Sequence, residues 1–261
     1  MLMFNINTMF MENLQDYLPQ SIVGKNVLVT GGSTGIGRAI VLLLAQMGAN
    51  VVFFGHNAQH VQDALADAKA IAKGKVHGFV ADTSKEEEII RIFNEADAHL
   101  NSLDVLVNNA AVGYGNVTEG SYPDWHRVLN INLLGYLACT AAALQRMQAK
   151  GAGHIVNIGS MSADRREETG SVYVATKAGI QAYSEALRKE VNKQGIKVTL
   201  VEPGAVDTDM QQKTTEEKLQ IVAQEKMLEA NDVAVAVLYA LSQPKRCDVV
   251  ELKIRPHMQL I

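Results

Sequence analysis

The stretch LVTGGSTGIGRAI, Leu28 to Ile40, sets Gly31, Gly32, Gly35 and Gly37 between an apolar run and a helical pattern. Glycine loses more backbone entropy on folding than any other residue, so this density calls for a compensating role. The preceding NVLVTG (26–31) reads as a strand, and RAIVLLLAQMGA (38–49) reads as a buried helix stopped at Gly48. A strand-to-helix turn of this kind presents unpaired N–H groups and a partial positive charge, which suits a phosphate. The glycines follow the pattern G-x-x-x-G-x-G through Gly31, Gly35 and Gly37. Arg38 and Ala39 follow Gly37, so the Lys-Ser/Thr ending of a P-loop is absent. Taken alone, the stretch is either a plain turn or a pyrophosphate cradle.

Outward from it, Val- and Ile-rich runs alternate with longer helical patterns. NVVFFG (50–55), VHGFVAD (76–82), DVLVNNA (104–110), GHIVNIGS (153–160), IKVTLVEPG (196–204) and VVELKI (249–254) read as strands. Helices are expected over 58–72, 84–100, 122–149, 171–194 and 230–242. Strands apolar on both faces, alternating with helices, imply an α/β fold. The expected architecture is a doubly wound Rossmann fold with a single parallel sheet of about seven strands and helices on both faces. Residues 1–23 read as an N-terminal arm with Met9 or Met11 as possible starts, and 24–261 as one catalytic domain. The polar segment 209–229 reads as a lid over a substrate.

Composition is ordinary for a globular chain of 261 residues, with 48% hydrophobic and 20% charged residues. A net charge of −4 without basic runs points away from nucleic acid. No uninterrupted apolar stretch reaches the roughly 18 residues of a membrane span, and the N-terminus lacks the marks of a signal peptide. Cys139 and Cys247 have no ligand spacing and read as two free thiols in a reducing cytoplasm.

Seven segments occur in a particular order: TGGSTGIG (30–37), ADT (81–83), NNAA (108–111), NINLLG (130–135), NIGS (157–160), YVATK (173–177) and EPGAVDT (202–208). With these, the chain resembles the short-chain dehydrogenase/reductase family over residues 24–242. NNAA departs mildly from the family's usual Asn-Asn-Ala-Gly. The resemblance implies hydride transfer between a nicotinamide cofactor and a small alcohol or carbonyl substrate.

Tyr173 is then the acid/base. A free tyrosine has a pKa near ~10, and Lys177, one helical turn on, supplies a positive charge that favours the phenolate. By resemblance Ser160 orients the substrate, with Ser162 as a nearby competitor, and Asn132 anchors a water beside the lysine. Singly, these residues are a helix-surface pair, a cap and a backbone-satisfying asparagine; together they read as a catalytic tetrad.

For the cofactor, Gly31, Ser33, Thr34, Gly35, Ile36 and Gly37 form the cradle. Asp82 resembles the acid that holds the adenine amino group, and otherwise opens the next helix. Asn109 and Ala110 border the nicotinamide ribose, which Tyr173 and Lys177 also reach. Pro203, Gly204, Val206 and Thr208 border the carboxamide. After the second strand comes Gly55-His56, with no acid before Asp63. An acid there would hold the ribose of NAD and repel a 2′-phosphate, so NADP(H) is expected over NAD(H). Arg38 is a further candidate for the phosphate.

His56 and His60 are spaced like ligands on a helix, but Asn57 stands where a zinc protease motif needs Glu, and the other histidines are scattered. No metal is expected. Arg165 or Arg166, in ADRREETG (163–170), would attract a carboxylate or simply be solvated. The segment CDVVELKIRPHMQLI (247–261) resembles a subgroup of NADP-linked 3-hydroxy acid dehydrogenases and ketone reductases. A non-catalytic NAD(P)-binding sensor or interaction protein is the alternative; its usual signal, loss of the Tyr or Lys, is absent. The chain after Gly204 is too short for the substrate domain of a sugar-nucleotide epimerase. A homodimer or homotetramer built on helices 122–149 and 171–194 is expected, although their apolar faces also suit a core.

Overall fold

The computed structural model describes residues 18–208 and 214–259. Seven strands form one parallel sheet in the order β3-β2-β1-β4-β5-β6-β7. They are β1 (Asn26–Val29), β2 (Asn50–Gly55), β3 (Val76–Val80), β4 (Val105–Asn108), β5 (Gly153–Ile158), β6 (Ile196–Pro203) and β7 (Glu251–Ile254). β1 pairs with β2 on one side and β4 on the other, Leu28 facing Val52 and Leu106. The strand order reverses at this point, leaving a crevice at the carboxyl ends of β1 and β4, where such sheets bind ligands.

Side chains alternate between the faces, so the central strands fill two cores. Val27, Val29, Phe53, Val107, Val156 and Val201 point to one face. There they meet α1 (Gly35–Gln46), α2 (Ala58–Ile71) and a late helix at Ala230–Leu241. Leu28, Val52, Phe54, Leu106, Ile155 and Val198 point to the other. That face is covered by α3 (Glu86–His99), α5 (Gly135–Lys150) and α7 (Ser171–Val191). Between them lie α4 (Tyr122–Leu129) and the short α6 (Ser162–Arg165); α8 (Thr215–Ala223) and α9 (Ala230–Leu241) follow β6. Ile40 and Leu44 of α1 are fully buried, each contributing about 2 kcal/mol.

Several boundaries differ from the sequence reading for identifiable reasons. β4 stops at Asn108 because the N–H groups of Asn109 and Ala110 donate to the Thr30 hydroxyl, both at 2.9 Å, instead of to a strand. α1 begins at Gly35, so Gly35 and Gly37 lie inside its first turn. The helix expected over 122–149 is split by a π-helical turn at Asn130–Leu134. This run, Tyr122–Lys150, is long enough to cross a membrane and contains an 18-residue window apolar enough to do so, with a mean hydropathy of 1.4. Its Tyr136, Cys139, Ala143 and Met147 are buried in the protein core. Residues 1–17 of the expected arm, 209–213 of the expected lid, and 260–261 lie outside the described residues. Within the described part of the arm, Ile22 is buried and the Gln20 N–H donates to the Ser242 carbonyl.

Candidate active site

The turn after β1 is shaped by what its glycines exclude. A Cβ on Gly31, whose φ is +63°, would lie 2.8 Å from the Ala110 Cα. One on Gly37 would lie 2.1 Å from the Gly31 carbonyl oxygen and 2.4 Å from the Asn109 Nδ2. Thr34 caps α1 in an extended conformation but makes no side-chain cap bond, and the first turn holds no acid. By contrast, Asn57 caps α2 by accepting from the His60 N–H, and α4, α8 and α9 carry capping boxes. The α1 terminus therefore keeps donors and positive potential for an outside anion. A dinucleotide pyrophosphate fits this donor set.

The cavity in front of this turn has a volume of about 980 Å³. Gly31, Ser33, Thr34, Gly35, Ile36, His56, Asp82, Asn109 and Ala110 line one part of it. Ser160, Tyr173, Lys177, Pro203, Gly204, Val206 and Thr208 line another. Gly37 stands behind the turn, and Asn132 is fully buried beside the cavity wall. Of the residues expected at the site, Gly37, Asn132, Arg38 and Arg166 do not border this space, and the others do.

Lys177 is almost fully buried, and its Nζ donates to the Ile158 carbonyl at 2.9 Å. The same carbonyl accepts from the Tyr136 hydroxyl at 3.0 Å. The ammonium lies 5.7 Å from the Tyr173 ring centroid and 5.6 Å from that of Tyr136. Burial lowers the Lys177 pKa to about 8, with the Glu202 carboxylate opposing the shift. The Tyr173 phenol, expected to be lowered by its lysine, is instead raised. Its removal from water dominates, a hydrogen bond with Ser160 pulls the other way, and the Glu167 charge adds to the rise. The Ser160 hydroxyl accepts from the Ser162 N–H at 3.1 Å, so the competing serine positions Ser160 through its backbone.

Asn132 sits in the π-helical turn and grips the loop after β4. Its Nδ2 donates to the Val112 carbonyl and its Oδ1 accepts from the Val112 N–H, both at 2.8 Å. Asn109 likewise holds backbone, donating to the Thr30 and Gly31 carbonyls at 3.1 and 3.0 Å. Asp82 lines the cavity and accepts from the Ser84 N–H at 2.9 Å, while the next helix begins at Glu86 with Lys85, not Asp82, at its N-cap. Arg38 pairs with Asp67 and does not line the cavity. Arg165 does, but it is paired with Glu167 at 3.0 Å.

Three contributors escaped the sequence reading. Thr30 ties β1 to β4 through one hydroxyl. Tyr136 flanks Lys177, and its signal was available: one turn after Asn132, on the face toward the sheet. Asn108 and Asn157 form a buried ladder, with Asn108 Nδ2 donating to Asn157 Oδ1 at 2.9 Å and Asn157 Nδ2 donating to the Ser184 hydroxyl at 2.9 Å. At the mouth, the Gln259 Oε1 accepts from the Ala205 N–H at 3.1 Å, folding the segment after β7 over the loop after β6.

Comparison with known proteins agrees with this arrangement. A family model described as short chain dehydrogenase matches residues 25–219. An uncharacterized oxidoreductase of Staphylococcus aureus is 34% identical over 236 residues, covering 90% of this chain and 98% of that protein. A short chain dehydrogenase from Burkholderia cenocepacia, crystallised in complex with NADP, superimposes with a TM-score of 0.80 at 28% identity, covering 91% of this chain and 98% of the other. A 7α-hydroxysteroid dehydrogenase complexed with NADH and 7-oxo glycochenodeoxycholic acid gives a TM-score of 0.81 at 25% identity, covering 89% and 93%. From the glycine cradle, the seven-stranded sheet and these likenesses together, the chain belongs to the short-chain dehydrogenase/reductase family of oxidoreductases.

Proposed function

We propose that this protein interconverts a secondary alcohol and a ketone with NADP(H) as the preferred hydride carrier. The observation that carries the reading is the convergence of Ser160, Tyr173 and Lys177 on the cavity that the glycine cradle opens into. When bound, the nicotinamide supplies or accepts the hydride. Tyr173 passes a proton between its phenol and the substrate oxygen, and Ser160 holds that oxygen by its hydroxyl. Lys177 keeps a cation beside the phenol below pH about 8, and bonds ribose hydroxyls. That cation and the positive charge of an oxidised nicotinamide oppose the burial that raises the Tyr173 pKa. Asn132, in its π-helical turn, anchors a water that links Lys177 to solvent.

The cofactor preference rests on the end of β2. His56 is exposed at the cavity rim, and the next acid, Asp63, lies within α2, where it accepts from Gln59 at 2.8 Å. No carboxylate in that turn repels a 2′-phosphate, and the His56 ring donates to one. Of the expected lid, 209–229, the described part is 214–229, which carries α8 and serves to cover the substrate. The free thiols Cys139 and Cys247 suit work in the cytoplasm, and a homodimer or homotetramer is the working assembly.

Thermal-shift measurements with NADPH and NADH, followed by turnover against a carbonyl panel, test this reading. NADPH should raise the melting temperature more than NADH; the reverse order overturns the preference. Tyr173→Phe should abolish turnover while leaving the NADPH-induced shift in place. Near-normal turnover in that variant overturns the acid/base role.

A further inference from the structure

Away from the cavity, edge strand β3 and helix α3 bring together three side chains that lie apart in the chain. His77 stands on β3, while Glu95 and His99 occupy adjacent turns of α3. The Glu95 Oε2 lies 3.5 Å from the His77 Nε2 and 3.7 Å from the His99 Nε2. One ligand atom from each residue falls within 4.8 Å of the other two. None of the three lines the cavity described above.

The contacts leave this cluster short of a partner. The His77 Nε2 is shielded from water, and the Glu95 oxygen at 3.5 Å lies beyond the usual reach of a hydrogen bond. The two imidazoles stack with centroids 3.5 Å apart and planes at 19°, which sets both Nε2 atoms beside a single carboxylate oxygen. Two imidazole nitrogens and a carboxylate are a ligand set for borderline divalent ions. Bond lengths of about 2.0–2.1 Å from a tetrahedral ion separate neighbouring ligand atoms by roughly 3.3 Å, close to the observed nitrogen–oxygen spacings. To share an ion the stacked rings must splay, and His99, at the open side of α3, has room to turn.

We propose that His77, Glu95 and His99 form a binding site for a divalent transition-metal ion of the zinc class, clipping edge strand β3 to α3. Water completes the coordination. Burial and the neighbouring His99 lower the His77 pKa, which favours the neutral ligand form. Lys69 is close enough to oppose a cation electrostatically, so the site depends on the Glu95 charge.

Calorimetric titration of metal-free protein with zinc chloride tests the site, in a Cys247→Ser background that removes the exposed thiol. One saturable equivalent is expected. Glu95→Gln and His99→Ala should each weaken it on the order of tenfold or more, while His60→Ala leaves it unchanged. Both substituted side chains are partly exposed, and circular dichroism checks that each variant folds. Cobalt(II) should give visible d–d absorption with the parent protein and lose it with His99→Ala. Absence of saturable zinc binding, or binding unaltered in both variants, overturns the proposal.

Discussion

His154 is buried between β5 and β6, where its Nε2 meets the Thr199 hydroxyl at 2.8 Å. That hydroxyl donates its one proton to the Val249 carbonyl at 2.6 Å, so the Nε2 of a neutral His154 is the donor. Burial, helped by Lys197, lowers the His154 pKa from 6.5 to about 3. Between those values the unfolded chain binds a proton that the folded chain refuses, so stability falls as pH drops through this window. Glu202, raised by its own burial, acts in the opposite sense as pH rises above the ordinary carboxylate range. His154→Gln should therefore lose less stability than the parent between pH 7 and pH 4 in urea denaturation; equal losses would refute the account. At this scale Tyr173 and Lys177 were legible because a four-residue spacing places both on one helix face. Thr30, Asn108 and Asn157 were not, because their value lies in partners on other strands that no local spacing encodes.

The turn from β1 into α1 shows what an element adds to its residues. The first helical turn is left uncapped, and Gly37 lets the Gly31 carbonyl pass where a side chain would stand. Gly37→Ala has no backbone conflict within a helix and gains helix propensity, yet its methyl meets fixed backbone at 2.1 Å. NADPH affinity, followed by fluorescence titration, should fall by about tenfold or more because the cradle must shift. Unchanged affinity would mean that the turn is not the pyrophosphate site. Element order and type were legible from apolar periodicity, since parallel strands are apolar on both faces. The π-helical turn at Asn130–Leu134 was not: its sequence keeps the helical pattern, and its wider bonding has no compositional mark.

Across the whole molecule, the two layers of helices account for most apolar faces but not all. Leu129, just before the π-helical turn, and Leu134, its last residue, remain 43% and 54% exposed. The sequence left the role of this helical run open between core and contact; the fold uses one side of it for core. If the remainder serves self-association, light scattering should give a dimer or tetramer mass, and joint Leu129→Glu and Leu134→Glu substitution should reduce it. A monomeric parent would contradict that assembly. The clasp between Gln259 and Ala205 also sets an order of events during synthesis. The glycine cradle is synthesised first, Ser160, Tyr173 and Lys177 next and β7 after them, while the residue that clasps the loop after β6 is translated only afterwards. A chain synthesised through β7 therefore carries all seven described strands and the Ser160, Tyr173 and Lys177 side chains before the residue that fastens its binding mouth is added, so the sheet can assemble ahead of that clasp.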